Sequence, residues 1–264
     1  YLVIDEDPMF RDSLAITTHH IQAQIGSWLN DVTITNLSTD SDYVQNWLEA
    51  NEIASHHVKE YIQSESDEGA LAATLFEHLP DHCNLFASSS MPIRDVDTFF
   101  YKTNKDVRIY ANRGANGIDG VVSTAIGTQL ATNRHSYLLI GDLAFLHDSN
   151  GLIASRYQNC DITIVVMNNN GGGIFSYLSQ ATVEDYYEEL FGTPSDLQFS
   201  DLARMYDAQY DVIHSKEELV QVLESPKVKP VRIIEVVTNR SVNVQSHRNL
   251  WDSISKELDE KWQA

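Results

Sequence analysis

The stretch YLLIGDLAFLHDSNGLIASRYQNCDITIVVMNNNGGGIF, Tyr137 to Phe175, decides the fold. Its first apolar run, Tyr137–Ile140, ends in Gly141-Asp142. A helix-like stretch follows, and a second apolar run, Ile162–Met167, ends in Asn168-Asn169-Asn170-Gly171-Gly172-Gly173. The pattern is that of a strand, a crossover helix and a second strand. Open parallel sheets bind ligands in the crevice beyond the C-terminal ends of their strands, so Asp142 and Asn169 are expected side by side on adjacent loops. A carboxylate and an amide oxygen, with a backbone carbonyl nearby, suit Mg²⁺, a hard cation that usually shares its shell with phosphate oxygens. The glycines that follow let backbone approach a diphosphate closely.

The same alternation extends outward from this unit. Tyr43–Ile62 carries Val44, Trp47, Leu48 and Ile53 at helical spacing, and a second helix over Glu68–Leu79 is ended by Pro80. Further strands are expected at Asn84–Ser88, Val107–Ala111, Tyr210–His214 and Val231–Val237. Helices are expected at Gly120–Asn133, Asn150–Gln158, Ser200–Tyr206, Lys216–Glu224 and Val242–Lys261. Strands alternating with helices imply an α/β fold, doubly wound, with a mainly parallel six-stranded sheet and helices on both faces. Residues 1–37 are too few for a domain. Strands at Tyr1–Ile4 and Val32–Thr35 around a helix over Ile16–Leu29 read as the C-terminal remnant of another α/β domain, and residues 38–264 then form the main one. A chain that opens on Tyr1 in mid-strand character is expected to be a piece of a longer protein. The segment 177–200, with a short helix over Tyr186–Phe191, is long and mixed; a lid over the metal loop and a peripheral insertion are both open.

The chain has 264 residues, 42 % of them hydrophobic, and a formal net charge of −20, which argues against nucleic acid or anionic membrane partners. No run is long enough to span a bilayer and no signal-peptide pattern opens the chain. Cys83 and Cys160 have no metal-binding spacing and read as reduced, buried residues of a cytoplasmic protein. With only 18 Lys and Arg, any anion must be met by cations placed locally. Arg94 and Arg113 each fall in a strand-end loop beside Pro, Gly or Ser. Arginine grips carboxylates in a two-pronged geometry; an ion pair of Arg94 with Asp95 or Asp97 is the plain alternative.

Gly141-Asp142 followed by Asn168-Asn169 resembles the thiamin-diphosphate-binding signature, a Gly-Asp-Gly with an Asn-Asn roughly 25–30 residues later. Leu143 stands where the generic pattern has glycine. Ser90-Met91-Pro92-Ile93-Arg94, Asn112-Arg113-Gly114-Ala115-Asn116-Gly117-Ile118-Asp119, Gly141-Asp142-Leu143-Ala144-Phe145 and Asn168-Asn169-Asn170-Gly171-Gly172-Gly173-Ile174-Phe175 all resemble the menaquinone-pathway MenD family, which carries Leu at that position. These are the 2-succinyl-5-enolpyruvyl-6-hydroxy-3-cyclohexene-1-carboxylate synthases, and the resemblance covers essentially the whole chain. It implies thiamin diphosphate and Mg²⁺ or Mn²⁺ as cofactors, with the Asp142 carboxylate, the Asn169 side-chain oxygen and the Gly171 carbonyl as metal ligands. Leu143, Ala144 and Phe145, at the start of the following helix, would lie against the diphosphate, the last two through backbone N–H groups.

By the same resemblance Ile118 wedges beneath the cofactor and holds its two rings in a V, and Phe175 lines the pocket. Plain core packing remains open for both. The Ser90 hydroxyl is either a diphosphate donor or a turn serine. Arg94 and Arg113 would hold carboxylates of the substrates, 2-oxoglutarate and isochorismate. The implied reaction decarboxylates 2-oxoglutarate and adds the resulting succinyl carbanion to isochorismate. The family's active site forms between subunits of a homodimer or higher oligomer, with a glutamate from an N-terminal pyrimidine-binding domain. Nothing in Tyr1–Leu37 looks like that domain, so the chain is expected to be inactive without it. Other readings are an acetolactate synthase-like carboligase or decarboxylase, a non-catalytic Mg-diphosphate binding module, or a flavodoxin-like nucleotide binder.

Overall fold

Thr17, Thr18 and Ile21 are β-branched, which favours extended backbone. In the computed structural model, which describes residues 1–33 and 41–262, they do not enter a helix. Strand β1 (Leu2–Asp5) instead pairs in parallel with β2 (His19–Gln22), and helix α1 (Ile25–Asp31) starts only after Gln24. The helix expected over Ile16–Leu29 is thus corrected to a strand followed by a shorter helix. The strand expected over Val32–Thr35 runs into residues 34–40, which lie outside the described residues, as does the boundary expected between 37 and 38. The chain divides into two compact units, Tyr1–Glu49 and Ala50–Ala264.

Helix α2 (Ser41–Ser64) leads to α3 (Glu68–His78), whose start is set by the Asp67 carboxylate accepting from the Ala70 N–H at 3.1 Å. The chain then alternates through β3 (Cys83–Ala87), α4 (Met91–Phe99), β4 (Val107–Tyr110), α5 (Val121–Thr132), β5 (Ser136–Gly141) and α6 (Asp142–His147). The helix expected over Asn150–Gln158 is a 3₁₀ turn followed by the single-turn α7 (Ala154–Tyr157). After β6 (Ile162–Asn168) come short irregular turns, α8 (Glu184–Tyr187), a π turn over Glu188–Gly192, and α9 (Ser200–Met205). Strand β7 (Gln209–Ile213), α10 (Lys216–Glu224), β8 (Val231–Val237) and α11 (Arg240–Trp262) complete the unit.

The six strands β3 to β8 form one sheet in the order β4-β3-β5-β6-β8-β7, every neighbouring pair parallel. Successive side chains of each strand enter opposite layers. Leu138, Ile140, Ile164, Val166 and Ile233 pack with α5, α6 and α9 on one face. Tyr137, Leu139, Val165, Met167 and Ile234 pack with α3, α4 and α10 on the other. The central strands are apolar almost without interruption because both their faces are covered. Cys83 and Cys160 are free and buried, and burial pushes the Cys83 thiol up to about 11. Among the described residues no helix is long and apolar enough to cross a membrane.

Strands β3 and β5 are neighbours, yet the chain leaves them toward opposite faces, through α4 and α6. Right-handed crossovers require this when the strand order reverses. The reversal opens a crevice at the C-terminal ends of β3 and β5, and β6 adds its own loop beside it because Gly141 pairs with Met167.

Candidate functional site

A cavity of about 410 Å³ fills that crevice, walled by Ser90, Ile118, Asp142, Asn169, Gly171 and Phe175 among others. Asp142 is the first residue of α6 and is only 3 % exposed. Its Oδ1 accepts from the Leu143 N–H at 2.9 Å and its Oδ2 from the Gly171 N–H at 2.7 Å, so one carboxylate spans both loops. It is not a side-chain cap of its own helix; Gly141 holds that position. Burial pushes Asp142 up to about 6, against the pull of these backbone N–H groups.

Three consecutive asparagines end β6, and each gives its amide nitrogen to a carboxylate at 2.7 Å: Asn168 to Glu235, Asn169 to Glu68 and Asn170 to Asp196. Their carbonyl ends differ. The Asn168 Oδ1 accepts from the Asn170 N–H at 3.1 Å, and the Asn170 Oδ1 from the N–H groups of Ser195 and Asp196 at 3.0 and 2.9 Å. The Asn169 Oδ1 is buried and has no partner. A buried acceptor without a donor costs about 1–3 kcal/mol unless something else meets it.

Gly171 adopts φ +142, a conformation closed to side chains, and a Cβ there would fall on the Gly192 carbonyl oxygen. A Cβ on Gly172 would likewise strike the Phe191 carbonyl oxygen. The loop is therefore tied to the segment behind it, by the Gly172 N–H to the Gly192 carbonyl at 2.8 Å and by the Asn170 side chain. Arg240 adds an ion pair to Glu188 at 2.7 Å. Within the segment expected as lid or insertion, residues 188–196 are strapped to the loop. The Gly171 carbonyl accepts from the Gly173 N–H at 3.0 Å and keeps one lone pair.

The remaining expected residues distribute as follows. Ser90 precedes α4 with φ +78 and its hydroxyl caps nothing; its carbonyl accepts from Arg94 Nη1 at 2.7 Å. A non-glycine residue at positive φ beside a cavity is stored strain at a site. Leu143, Ala144 and Ile118 line the cavity, Ile118 at 36 % exposure. Phe175 lies on a 3₁₀ turn with its ring against Phe191 at 5.5 Å. The Phe145 side chain is fully buried in the core against Phe199, which leaves only its backbone for a ligand. Arg94 and Arg113 are both exposed and share a neighbouring depression of about 380 Å³ rather than the cavity itself. Arg94 makes no ion pair with Asp95 or Asp97 among the described residues; Asp95 is buried and turned to His247 at 3.4 Å.

Sequence reasoning missed Glu68. This carboxylate is 1 % exposed, lines the cavity, and accepts on Oε1 from Asn169 and from the Thr238 hydroxyl at 3.0 Å. Burial, reinforced by the nearby Asp95 charge, pushes it up to about 7. Its place after Asp67 looks like an ordinary acidic first helical turn, so no local signal marks it. Behind it lies a buried cluster in which Tyr61 donates to Asp67, and His247 stands between Asp67 and Asp95 at 3.5 and 3.4 Å. Burial alone would lower the His247 imidazole; the two carboxylates outweigh it and hold it up at about 10.

Among the described residues no group of three His, Cys, Asp or Glu side chains can hold a metal ion. The donor set at the strand tips is of another kind, one carboxylate, one unpartnered amide oxygen and one backbone carbonyl, and such oxygen donors suit Mg²⁺. The two glycines leave no Cβ between the loop and its backing segment. The residues present thus fit a hard cation carrying a diphosphate.

A 2-succinyl-5-enolpyruvyl-6-hydroxy-3-cyclohexene-1-carboxylate synthase of Lysinibacillus sphaericus is 54 % identical over 98 % of this chain and 45 % of its own length. The synthase of the same name from Oceanobacillus iheyensis is 43 % identical over 87 % of this chain and 40 % of its own. The chain spans less than half the length of each. The crystal structure of benzoylformate decarboxylase from Polynucleobacter necessarius superposes with a TM-score of 0.55 at 20 % identity, over 66 % of this chain and 33 % of that one, a likeness of fold. Residues 96–235, more than half of the chain, match the family described as thiamine pyrophosphate enzyme, C-terminal TPP binding domain. The strand-tip cavity lies largely within that match, and the chain belongs to the thiamine pyrophosphate enzymes.

Proposed function

We propose that this chain is the diphosphate- and metal-binding part of a 2-succinyl-5-enolpyruvyl-6-hydroxy-3-cyclohexene-1-carboxylate synthase of menaquinone biosynthesis. Residues 38–264 are its diphosphate-binding domain and residues 1–37 the end of a central α/β domain. The whole protein acts in the cytoplasm as a homodimer or higher oligomer. The observation that carries this reading is the 54 % identity to such a synthase along nearly the whole chain, coincident with a cavity whose donors suit a cation.

In this reading Asp142, the Asn169 Oδ1 and the Gly171 carbonyl hold Mg²⁺ or Mn²⁺, and Ser90 with the backbone of Ala144 and Phe145 meets the diphosphate. Thiamin diphosphate, when bound, supplies the electron sink that lets 2-oxoglutarate lose carbon dioxide. The chain's own work is placement. Ile118 and Phe175 give the cofactor an apolar seat that excludes water. Arg94 and Arg113, exposed in one depression beside the cavity, neutralise substrate carboxylates in an otherwise acidic surface. Two cations there suit the several carboxylates of 2-oxoglutarate and isochorismate better than a single one. The glutamate that acts on the cofactor's pyrimidine ring belongs to the part of the protein outside this chain, so residues 1–264 alone do not turn over.

Calorimetry of thiamin diphosphate binding with and without Mg²⁺ tests the site, and the expected result is binding that requires the metal. Assay of the full-length protein with 2-oxoglutarate and with pyruvate tests the reaction. A preference for pyruvate, or turnover by residues 1–264 alone at the full-length rate, defeats the reading.

A further inference from the structure

The unpartnered Asn169 Oδ1 is unpartnered because of what the other end of the same amide does. Its nitrogen donates at 2.7 Å to Glu68 Oε1, an oxygen that also accepts the Thr238 hydroxyl and so serves as acceptor to both. Reversing the amide would set two oxygens against each other and turn N–H groups outward. Glu68 is itself fixed: Oε1 also takes the Thr238 hydroxyl at 3.0 Å, and its backbone N–H donates to the Asn243 side chain at 3.2 Å. Gly173 leaves room for the arrangement, since a Cβ there would stand 2.7 Å from the Asn169 nitrogen. The flanking asparagines are clipped by carboxylates too, but their carbonyl oxygens are consumed by backbone N–H groups. Of these three asparagines, only the one held by Glu68 keeps a buried oxygen in reserve.

We propose that Glu68 is a positioning residue that, through the Asn169 amide, turns the Asn169 carbonyl oxygen to the cavity and so sets how tightly the site takes a divalent cation with a diphosphate. The inference rests on the cation reading of the cavity given above. Partners that orient ligands in this way typically change metal affinity by about 10–100-fold when removed.

Reach and charge separate in two conservative variants. Glu68→Gln keeps an acceptor oxygen at the same reach without the charge. Glu68→Asp keeps the charge but withdraws it by one methylene. In the full-length protein, Mn²⁺ titrated in the presence of thiamin diphosphate and read by electron paramagnetic resonance gives the Kd directly. The expected result is a Kd weakened about tenfold or more in Glu68→Asp and within about threefold of the parent in Glu68→Gln. The opposite order assigns the effect to charge and overturns the proposal, as do two variants that both bind like the parent. Asp142→Ala serves as the control for the site itself. If it abolishes Mn²⁺ uptake while Glu68→Asp binds normally, positioning alone fails. If the parent takes up no Mn²⁺, the cation reading and this inference fail together.

Discussion

Replacing Asn170 with alanine removes the three hydrogen bonds that tie Ser195 and Asp196 to the β6 loop. The Asn170 side chain accepts from the N–H groups of Ser195 and Asp196 and donates to the Asp196 carboxylate, at 3.0, 2.9 and 2.7 Å. Each neutral bond contributes about 1 kcal/mol net, and the bond to the carboxylate, being exposed, no more than that. Asn170 itself sits at φ +58, where asparagine is tolerated and alanine costs roughly 1 kcal/mol more. Thr193 and Asp196, at φ +43 and +53, are strained residues that the same contacts keep in place. The sum is about 4 kcal/mol of local stability, or roughly a thousandfold in the opening equilibrium of residues 193–196. Hydrogen–deuterium exchange of the Ser195 and Asp196 amides reads this equilibrium directly. Their protection should fall roughly a thousandfold, or vanish, while β6 and α11 exchange as before. Asn170→Gly, free of the backbone penalty, should recover roughly 1 kcal/mol of it. Unchanged protection in Asn170→Ala would mean that the strap is held by something other than this side chain, and the account of the loop would be wrong.

Gly171→Ala must shift either the loop or the Gly192 carbonyl it would strike, and the expected outcome is loss of Mg²⁺-dependent thiamin diphosphate binding by calorimetry with the sheet intact by circular dichroism. Adding a chelator to the loaded full-length protein should release thiamin diphosphate together with the metal, seen by gel filtration; retention of the cofactor would speak against a bridging cation. His247 faces Asp67 and Asp95, with Tyr61 and Tyr177 against its ring, and its folded value of about 10 lies above the ordinary 6.5. A raised imidazole contributes stability that is whole below pH ~6.5 and is lost as pH rises through about 10, at most about 5 kcal/mol over that window. Urea unfolding at successive pH values should show this decline in the parent and a flatter profile in His247→Gln.

The strands and their tips were legible because they depend on near neighbours. Apolar runs bounded by Gly-Asp and Asn-Asn-Asn mark β5 and β6, and the alternation with helices implied a parallel sheet before any pairing was known. Local reading failed where a partner elsewhere in the chain outweighed it. His19–Gln22 is a strand because Leu2–Asp5 lies beside it, although Ile16 to Leu29 can also be read at helical spacing. The strap over 188–196 was indistinct for the same reason, since its contacts are with the β6 loop and Arg240.

The linear order of residues by itself determined the alternating elements, the doubly wound class and the adjacency of Asp142 and Asn169, because each follows from side-chain period and from the covalent link between a strand and its loop. Which way the Asn169 amide points was decided only by tertiary structure. Glu68 stands 101 residues away, on a helix packed beneath the sheet. An amide has two chemically opposite ends and no local preference between them, so the choice passes to whatever acceptor the fold brings against it.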